Sequence, residues 1–193
     1  MKQEIYDELE TSVYLEHLVE TKNENEIEKL LKIKKHKIIN NREIAEFYSD
    51  LIKEICDLKI KTPTAHLILS HLYLDYENNY EKSYYHLSRA IYYGSDEAKW
   101  FMGIYLLGNS KMQPFLKPHP KTGLEILKKL AKTTENTTVQ SLSTSSAASY
   151  IVRNFNIKEI SEEEKELVDS YSSDNSLIIT DDYFFLALFY AGE

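Results

Sequence analysis

One cysteine, one tryptophan, four prolines and five glycines in 193 residues put several classes of protein out of reach. With Cys56 alone no intramolecular disulfide can form, so a secreted fold stapled by disulfides is excluded. So little Gly and Pro leaves small room for the β-turns of an all-β chain, and Leu, Lys, Glu and Ile dominate instead; the expectation is all-α. The glycines are scattered, so no glycine-rich phosphate loop or nucleophile elbow can be assembled. No run approaches about 18 uninterrupted apolar residues, and MKQEIYDELE carries charges where a signal peptide needs an apolar stretch. The expected compartment is the cytoplasm, with no membrane as partner.

What is present is a 42% hydrophobic chain, enough for a buried core, and 31 acidic against 23 basic side chains, a net charge of −8. That charge repels nucleic-acid backbones at long range, so no nucleic acid is expected and a basic protein is the better partner. Fifteen tyrosines suit thin helical layers and binding surfaces, because each ring packs while its hydroxyl stays wet.

Hydrophobic spacing divides the chain into helices. Ile5, Leu9 and Val13, flanked by Tyr6, Tyr14 and Leu18, mark a first helix over about 2–20, with Leu9 and Val13 in its apolar stripe. Ile27, Leu30, Leu31 and Ile38 mark a second, more basic one. Asn40 and Glu43 resemble a capping box, and Ile44, Phe47, Tyr48, Leu51, Ile52, Ile55 and Leu58 form the cleanest amphipathic stripe, in a third helix to about Lys59. Thr62-Pro63 starts a fourth. Pro114, Pro118 and Pro120 make an insertion loop, a helix is favoured over about 138–153, and Ser161 followed by three glutamates starts another.

Between Ala65 and Gly108 the chain repeats itself. Ala65, Leu69 and Ser70 recur as Ala98, Met102 and Gly103, an offset of 33 residues at each point, and HPKTGLEILKKLAKTT follows NYEKSYYHLSRAIYYG with Gly123 under Ser83 and Leu130 under Ala90. Such a period marks stacked helix pairs. NYEKSYYHLSRAIYYG resembles the second helix of a SEL-one-like repeat, a relative of the tetratricopeptide repeat, through Asn79, Lys82, Ser83, Arg89, Ala90 and Gly94, with His86 where an aromatic is usual. The resemblance implies a right-handed α-solenoid of antiparallel helix pairs that binds other proteins. On this reading an N-terminal three-helix segment covers 1–61 and the repeats cover 62–193, as one continuous domain that ends in a half repeat, DDYFFLALFYAGE.

If first helices line the concave side, as the resemblance implies, the partner-binding groove takes Leu67, Ile68 and His71 from the first unit. The second unit adds Trp100, Phe101 and Ile104, and the terminal half unit adds Phe184, Phe185 and Leu188. Adjacent large apolar residues on one helix point about 100° apart, so part of each pair must leave its own core; packing between neighbouring units is the alternative. Ala98 and Met102 take the inward stripe, about 200° from Trp100.

Six histidines invite a metal, but His66 and His71 point to different sides of a helix, His86 is in the next one, and zinc-protease spacing is absent. No metal and no cofactor are expected. Lys32 to Lys37 reads as a solvated helix face. Catalytic residues cannot be assembled, so the expected function is a non-catalytic protein-binding scaffold. Its specific form is a bacterial immunity protein that neutralises a cognate toxin; a peptide-binding adaptor, a chaperone-like receptor, or an enzyme with an unrecognised groove site are the alternatives. Self-association through the terminal half repeat is a further option.

Overall fold

A computed structural model describes residues 2–108, 111–112 and 115–173. Among them the fold is all-α: α1 Lys2–Glu20, α2 Glu24–Asn40, α3 Arg42–Asp57, α4 Pro63–Asp75, α5 Tyr80–Tyr92, α6 Asp96–Leu106, α7 Pro120–Thr133, α8 Thr137–Asn154 and α9 Glu162–Ser173, with a 3-10 turn at Ile157–Glu159. No described helix is long and apolar enough to cross a membrane.

Local chemistry fixes the ends. The side chain of Asn23 accepts from the Glu26 amide and starts α2. Only Asn41 separates α2 from α3, and it, not Asn40, caps α3 by accepting from the Ile44 amide at 3.2 Å. Asn40 is the last residue of α2, turned back to donate to the His36 carbonyl. Thr62 makes no side-chain cap for α4. Instead Glu28 of α2 accepts from the amide and hydroxyl of Thr64 at 3.1 and 2.7 Å, so a glutamate from a neighbouring helix satisfies the first turn and meets the helix dipole. Gly94 has φ +94° and closes α5, with the Ser95 amide donating to the Ala90 carbonyl, the wrap-around that favours glycine. Ser161 and Glu164 form the reciprocal cap of α9.

The chain divides into two compact units, 1–98 and 99–193. The boundary expected at 61/62 does not separate two cores: Leu15, Leu18 and Val19 of α1, Ile27 and Leu31 of α2, Tyr48, Ile52 and Ile55 of α3, and Ile68, Leu69 and Leu72 of α4 belong to one buried cluster. The apolar face of α4 is covered by α2 and α3, so the N-terminal helices and α4 share one core. Two expected stripes are corrected here. In α1 the buried face is Glu8, Leu15, Leu18 and Val19, while Leu9 and Val13 are 50% and 58% exposed. In α3 the buried face is Ala45, Tyr48, Ile52 and Ile55, while Phe47 and Leu58 are exposed.

In the first unit α4 and α5 form an antiparallel hairpin: His66 lies opposite His86, and Ser70 opposite Ser83 with hydroxyl oxygens 3.2 Å apart. In the second unit α6 and α7 also run antiparallel, and their backbones touch. A β-carbon on Gly103 would lie 2.8 Å from the Leu127 side chain, and one on Gly123 would lie 2.7 Å from the Gly103 carbonyl oxygen. Leu124 and Leu127 of α7, Ala147, Ala148 and Ile151 of α8, and Val168 and Tyr171 of α9 form the second core.

Candidate functional site

The expected groove residues separate into different environments. Leu67 and Ile68 are buried, at 1% and 0% exposure, because α4 is apolar on almost every side and is covered on most of them, so they line no open groove. His71 is partly buried and faces Asp75 one turn on, at 3.7 Å. In the second unit Trp100 and Ile104 are half-buried against the core, and the indole Nε1 of Trp100 donates to the Ser146 hydroxyl of α8 at 3.2 Å. Phe101 meets Trp100 edge-on at 4.6 Å and is also close to Tyr105. The helix α8 therefore occupies the space beside Trp100. Ile104 borders a cavity of about 330 Å³ with Ser146, Ser149, Tyr150 and Arg153. Phe184, Phe185 and Leu188, with the half repeat they belong to, lie outside the described residues.

The run Lys32 to Lys37 is not simply a solvated face. Lys34 and Lys37 donate to the carboxylate of Glu8 at 3.1 and 2.7 Å, Lys35 pairs with Glu97, and Lys32 with Glu28. Glu8 is 6% exposed and also accepts from the Tyr48 hydroxyl at 2.7 Å. Burial alone would raise its pKa, but the hydrogen bonds from Lys37, Tyr48 and Lys34 outweigh that, and the carboxyl sits below its ordinary value. Burial, followed by the Glu8 charge, drives the Tyr48 phenol far above its own.

On the outer side of the first unit two stripes stand open. Leu9, Val13, Glu16 and Glu20 recur at four, three and four residues along α1, and Phe47, Leu51, Glu54 and Leu58 along α3, the spacing that keeps side chains on one helix face. The Tyr48 bond to Glu8 holds the two helices side by side. Glu16, Val19, Glu20 and Lys22 of α1 and its following turn border a cavity of about 310 Å³ with Leu51, Glu54 and Leu58. Its rim carries three carboxylates against one ammonium. Leu9, Val13 and Tyr14 on α1 and Phe47 and Leu58 on α3 are each about half exposed, and each half-open side chain of this size leaves on the order of 1 kcal/mol of burial unrealised.

A third arrangement is inside the first unit. Cys56 near the end of α3, His66 in the first turn of α4 and His86 in α5 bring Sγ and ring nitrogens within 4.8 Å of one another. The two Nδ1 atoms are 2.9 Å apart, so one ring donates and the other accepts. His66 is 3% exposed, and burial, the His86 ring and Arg89 lower its pKa to about 4. His86 is likewise lowered to about 4, by burial above all, with Asp57 opposing and Lys82 assisting. Both rings are neutral at neutral pH. Burial, with Asp57 adding to it and Arg89 opposing it, raises the Cys56 thiol to about 12. A thiol held protonated beside neutral imidazoles is a weak nucleophile. The rings are held by their neighbours: Tyr73 stacks on His86 at 5.4 Å, Tyr93 lies 5.4 Å from His66, and Arg89 caps the Tyr93 ring.

Both the open stripes and the cluster were missed by reasoning on sequence. Apolar periodicity marks a face without saying whether core or partner covers it. The two histidines lie 20 residues apart on different helices, and only the hairpin register brings them together. The signal that does exist is the register itself, since aligning α4 against α5 through Ser70 and Ser83 sets His66 opposite His86. Comparisons with protein-family models, curated proteins and solved structures find no match to this chain.

Proposed function

We propose that the chain is a non-catalytic helical scaffold that binds a basic, amphipathic segment of another protein on the outer face of α1 and α3. The carrying observation is the pair of stripes Leu9-Val13-Glu16-Glu20 and Phe47-Leu51-Glu54-Leu58, which combine half-exposed apolar side chains with the carboxylates of Glu16, Glu20 and Glu54. A partner helix with apolar residues at three- and four-residue spacing and Lys or Arg on its flanks matches both features. The net charge of −8 acts in the same sense at longer range. An immunity protein that occludes a basic toxic enzyme is the specific form of this reading. The short-solenoid architecture of SEL-one-like type is part of the same proposal, and the small-residue crossings at Ser70/Ser83 and Gly103/Gly123 support it.

Affinity capture from native lysate followed by cross-linking mass spectrometry tests the reading. The expected result is one stoichiometric partner, cross-linked through α1 and α3 by a lysine- or arginine-rich segment, and lost when Glu16, Glu20 and Glu54 are all changed to Lys. A partner that the charge-reversed variant holds equally well removes this face from consideration. Many weak partners in place of one would replace the immunity reading by a peptide receptor.

A further inference from the structure

We propose that Cys56, His66 and His86 form a binding site for one thiophilic d10 metal ion, copper(I) or zinc(II), held through Sγ and the two Nδ1 atoms. The argument begins with convergence: three consecutive helices each supply one donor to the same interior point, within 4.8 Å of one another. Tetrahedral ligation with metal to nitrogen distances of about 2.0–2.1 Å needs the two nitrogens about 3.3 Å apart, and the present 2.9 Å is met by opening the ring pair by a few tenths of an ångström. The donor set is the second argument. Thiolate and imidazole select zinc and copper(I) over the hard, oxygen-seeking ions. Two imidazoles that stay neutral at physiological pH need give up no charge to ligate.

Aromatic support is the third argument. Tyr73 packs on His86 and Tyr93 on His66, which restricts the two imidazoles to the neighbourhood of Cys56. On binding, the Cys56 thiol becomes a thiolate and one proton leaves to solvent. The hydrogen between the rings moves to the Nε2 of the ring that carried it, so that both Nδ1 lone pairs face the ion; no electron is transferred. Arg89, close enough to depress both His66 and Cys56, disfavours extra positive charge. Copper(I) with one thiolate is neutral and zinc(II) with one thiolate keeps a single positive charge, so copper(I) is the tighter ligand. Three donors are enough for copper(I), and they leave zinc(II) a fourth position for water.

The test uses the full chain, reduced and freed of metal. Cobalt(II), standing in for zinc, is titrated while absorbance is followed, and copper(I) is titrated anaerobically against a chromogenic chelator. One ion per chain is expected, with a thiolate-to-cobalt charge-transfer band. Because the chain has a single cysteine, that band reports Cys56 without any mutation. Zinc should bleach the band by displacing cobalt. Cys56→Ser and His86→Gln, checked for wild-type helicity, should each weaken binding roughly 100-fold or more, beyond what outer-shell changes produce. His36→Ala, on an exposed histidine of α2, should leave binding unchanged. Absence of both the cobalt band and stoichiometric copper(I) retention in the wild-type chain overturns the proposal. So does a folded Cys56→Ser variant that binds as tightly as the parent.

Discussion

The hairpin α4–α5 closes on two serine hydroxyls 3.2 Å apart, whereas α6–α7 closes on two glycines so near that a β-carbon on Gly123 would lie 2.7 Å from the Gly103 carbonyl oxygen. By the sequence offsets, Gly103 stands where Ser70 stands, and Gly123 where Ser83 stands. The same offsets set Lys99 against His66 and Ile126 against His86. One crossing is polar and slightly open, with room beside it for two imidazoles; the other is backbone against backbone. The first unit repeats the theme at Glu8, whose carboxylate is buried among Lys34, Lys37 and Tyr48. The second instead buries small side chains, Ala147 and Ala148, at the centre of α8. Two helical hairpins thus close in two ways, and the polar way is the one that gathers chemistry-bearing side chains.

The largest expected effect tests the polar unit. Glu8→Ala removes the carboxylate that accepts from the Tyr48 hydroxyl and from the Lys34 and Lys37 ammonium groups, and removing one partner of a buried ionic network costs about 3 kcal/mol. Urea denaturation of the variant measures it. The pH dependence has a definite sign. The folded carboxyl lies below its unfolded value, so the unfolded chain binds more protons. The stabilisation is present above the ordinary glutamate range and fades as pH falls through the lowered folded value. Glu8→Gln should lose stability at neutral pH and flatten that acid limb. An unchanged acid limb would show that Lys34, Lys37 and Tyr48 do not hold the carboxylate in solution as they do here.

A smaller loss is expected at the glycine crossing. Gly123→Ala gains about 0.5–1 kcal/mol of helix propensity but drives a methyl against the Gly103 carbonyl and the Leu107 amide, at 2.7 and 3.0 Å. Backbone cannot give as a flexible side chain can, and overpacking of this kind costs about 1–3 kcal/mol, so a net loss of roughly 1–2 kcal/mol should appear in thermal unfolding. A stabilised variant would show the crossing to be looser than the contact implies and would erase the contrast between the hairpins.

Much of the helical outline could be read from the sequence because its signals are local. Pro63 at a helix start, the Ser161 cap and Gly94 at φ +94° each follow from one residue's own conformational preference, whereas Pro120, assigned to the insertion loop, opens α7. The serine- and alanine-rich stretch around Ser143 to Ser149 is legible as helix because small residues permit close packing. Partner assignment was not legible. Leu9 and Val13 have the spacing of core residues, yet Glu8 and Leu15 turn inward because Lys34, Lys37 and Tyr48 offer the carboxylate a complete set of donors. The resemblance places Leu67 and Ile68 in a groove because it puts first helices on the concave side, but α4 is apolar nearly all round, and only the positions of α2, α3 and α5 decide which side is covered. The Cys56, His66 and His86 cluster needs three helices in register, which no window along the chain contains.

The smallest effect makes the sharpest test of the polar crossing. Ser70 and Ser83 are both buried, at 2% and 0% exposure, and each hydroxyl finds the other at 3.2 Å. Ser70→Ala removes one partner and leaves the Ser83 hydroxyl buried beside a methyl, which costs about 1 kcal/mol or somewhat more. Ser83→Ala does the same in reverse. The double variant removes both polar groups, leaves no orphan and gains helix propensity at two positions, so it should return to within about 0.5 kcal/mol of the parent. A coupling of roughly 1 kcal/mol or more between the two sites is therefore expected from the double-mutant cycle, measured by denaturant unfolding. Additive losses would mean that the hydroxyls find other acceptors, in their own helices for instance, and that the crossing is held by close approach alone, as in α6–α7. The register that sets His66 opposite His86 would then rest on packing and not on this bond, and the double serine variant should still bind metal as the parent does.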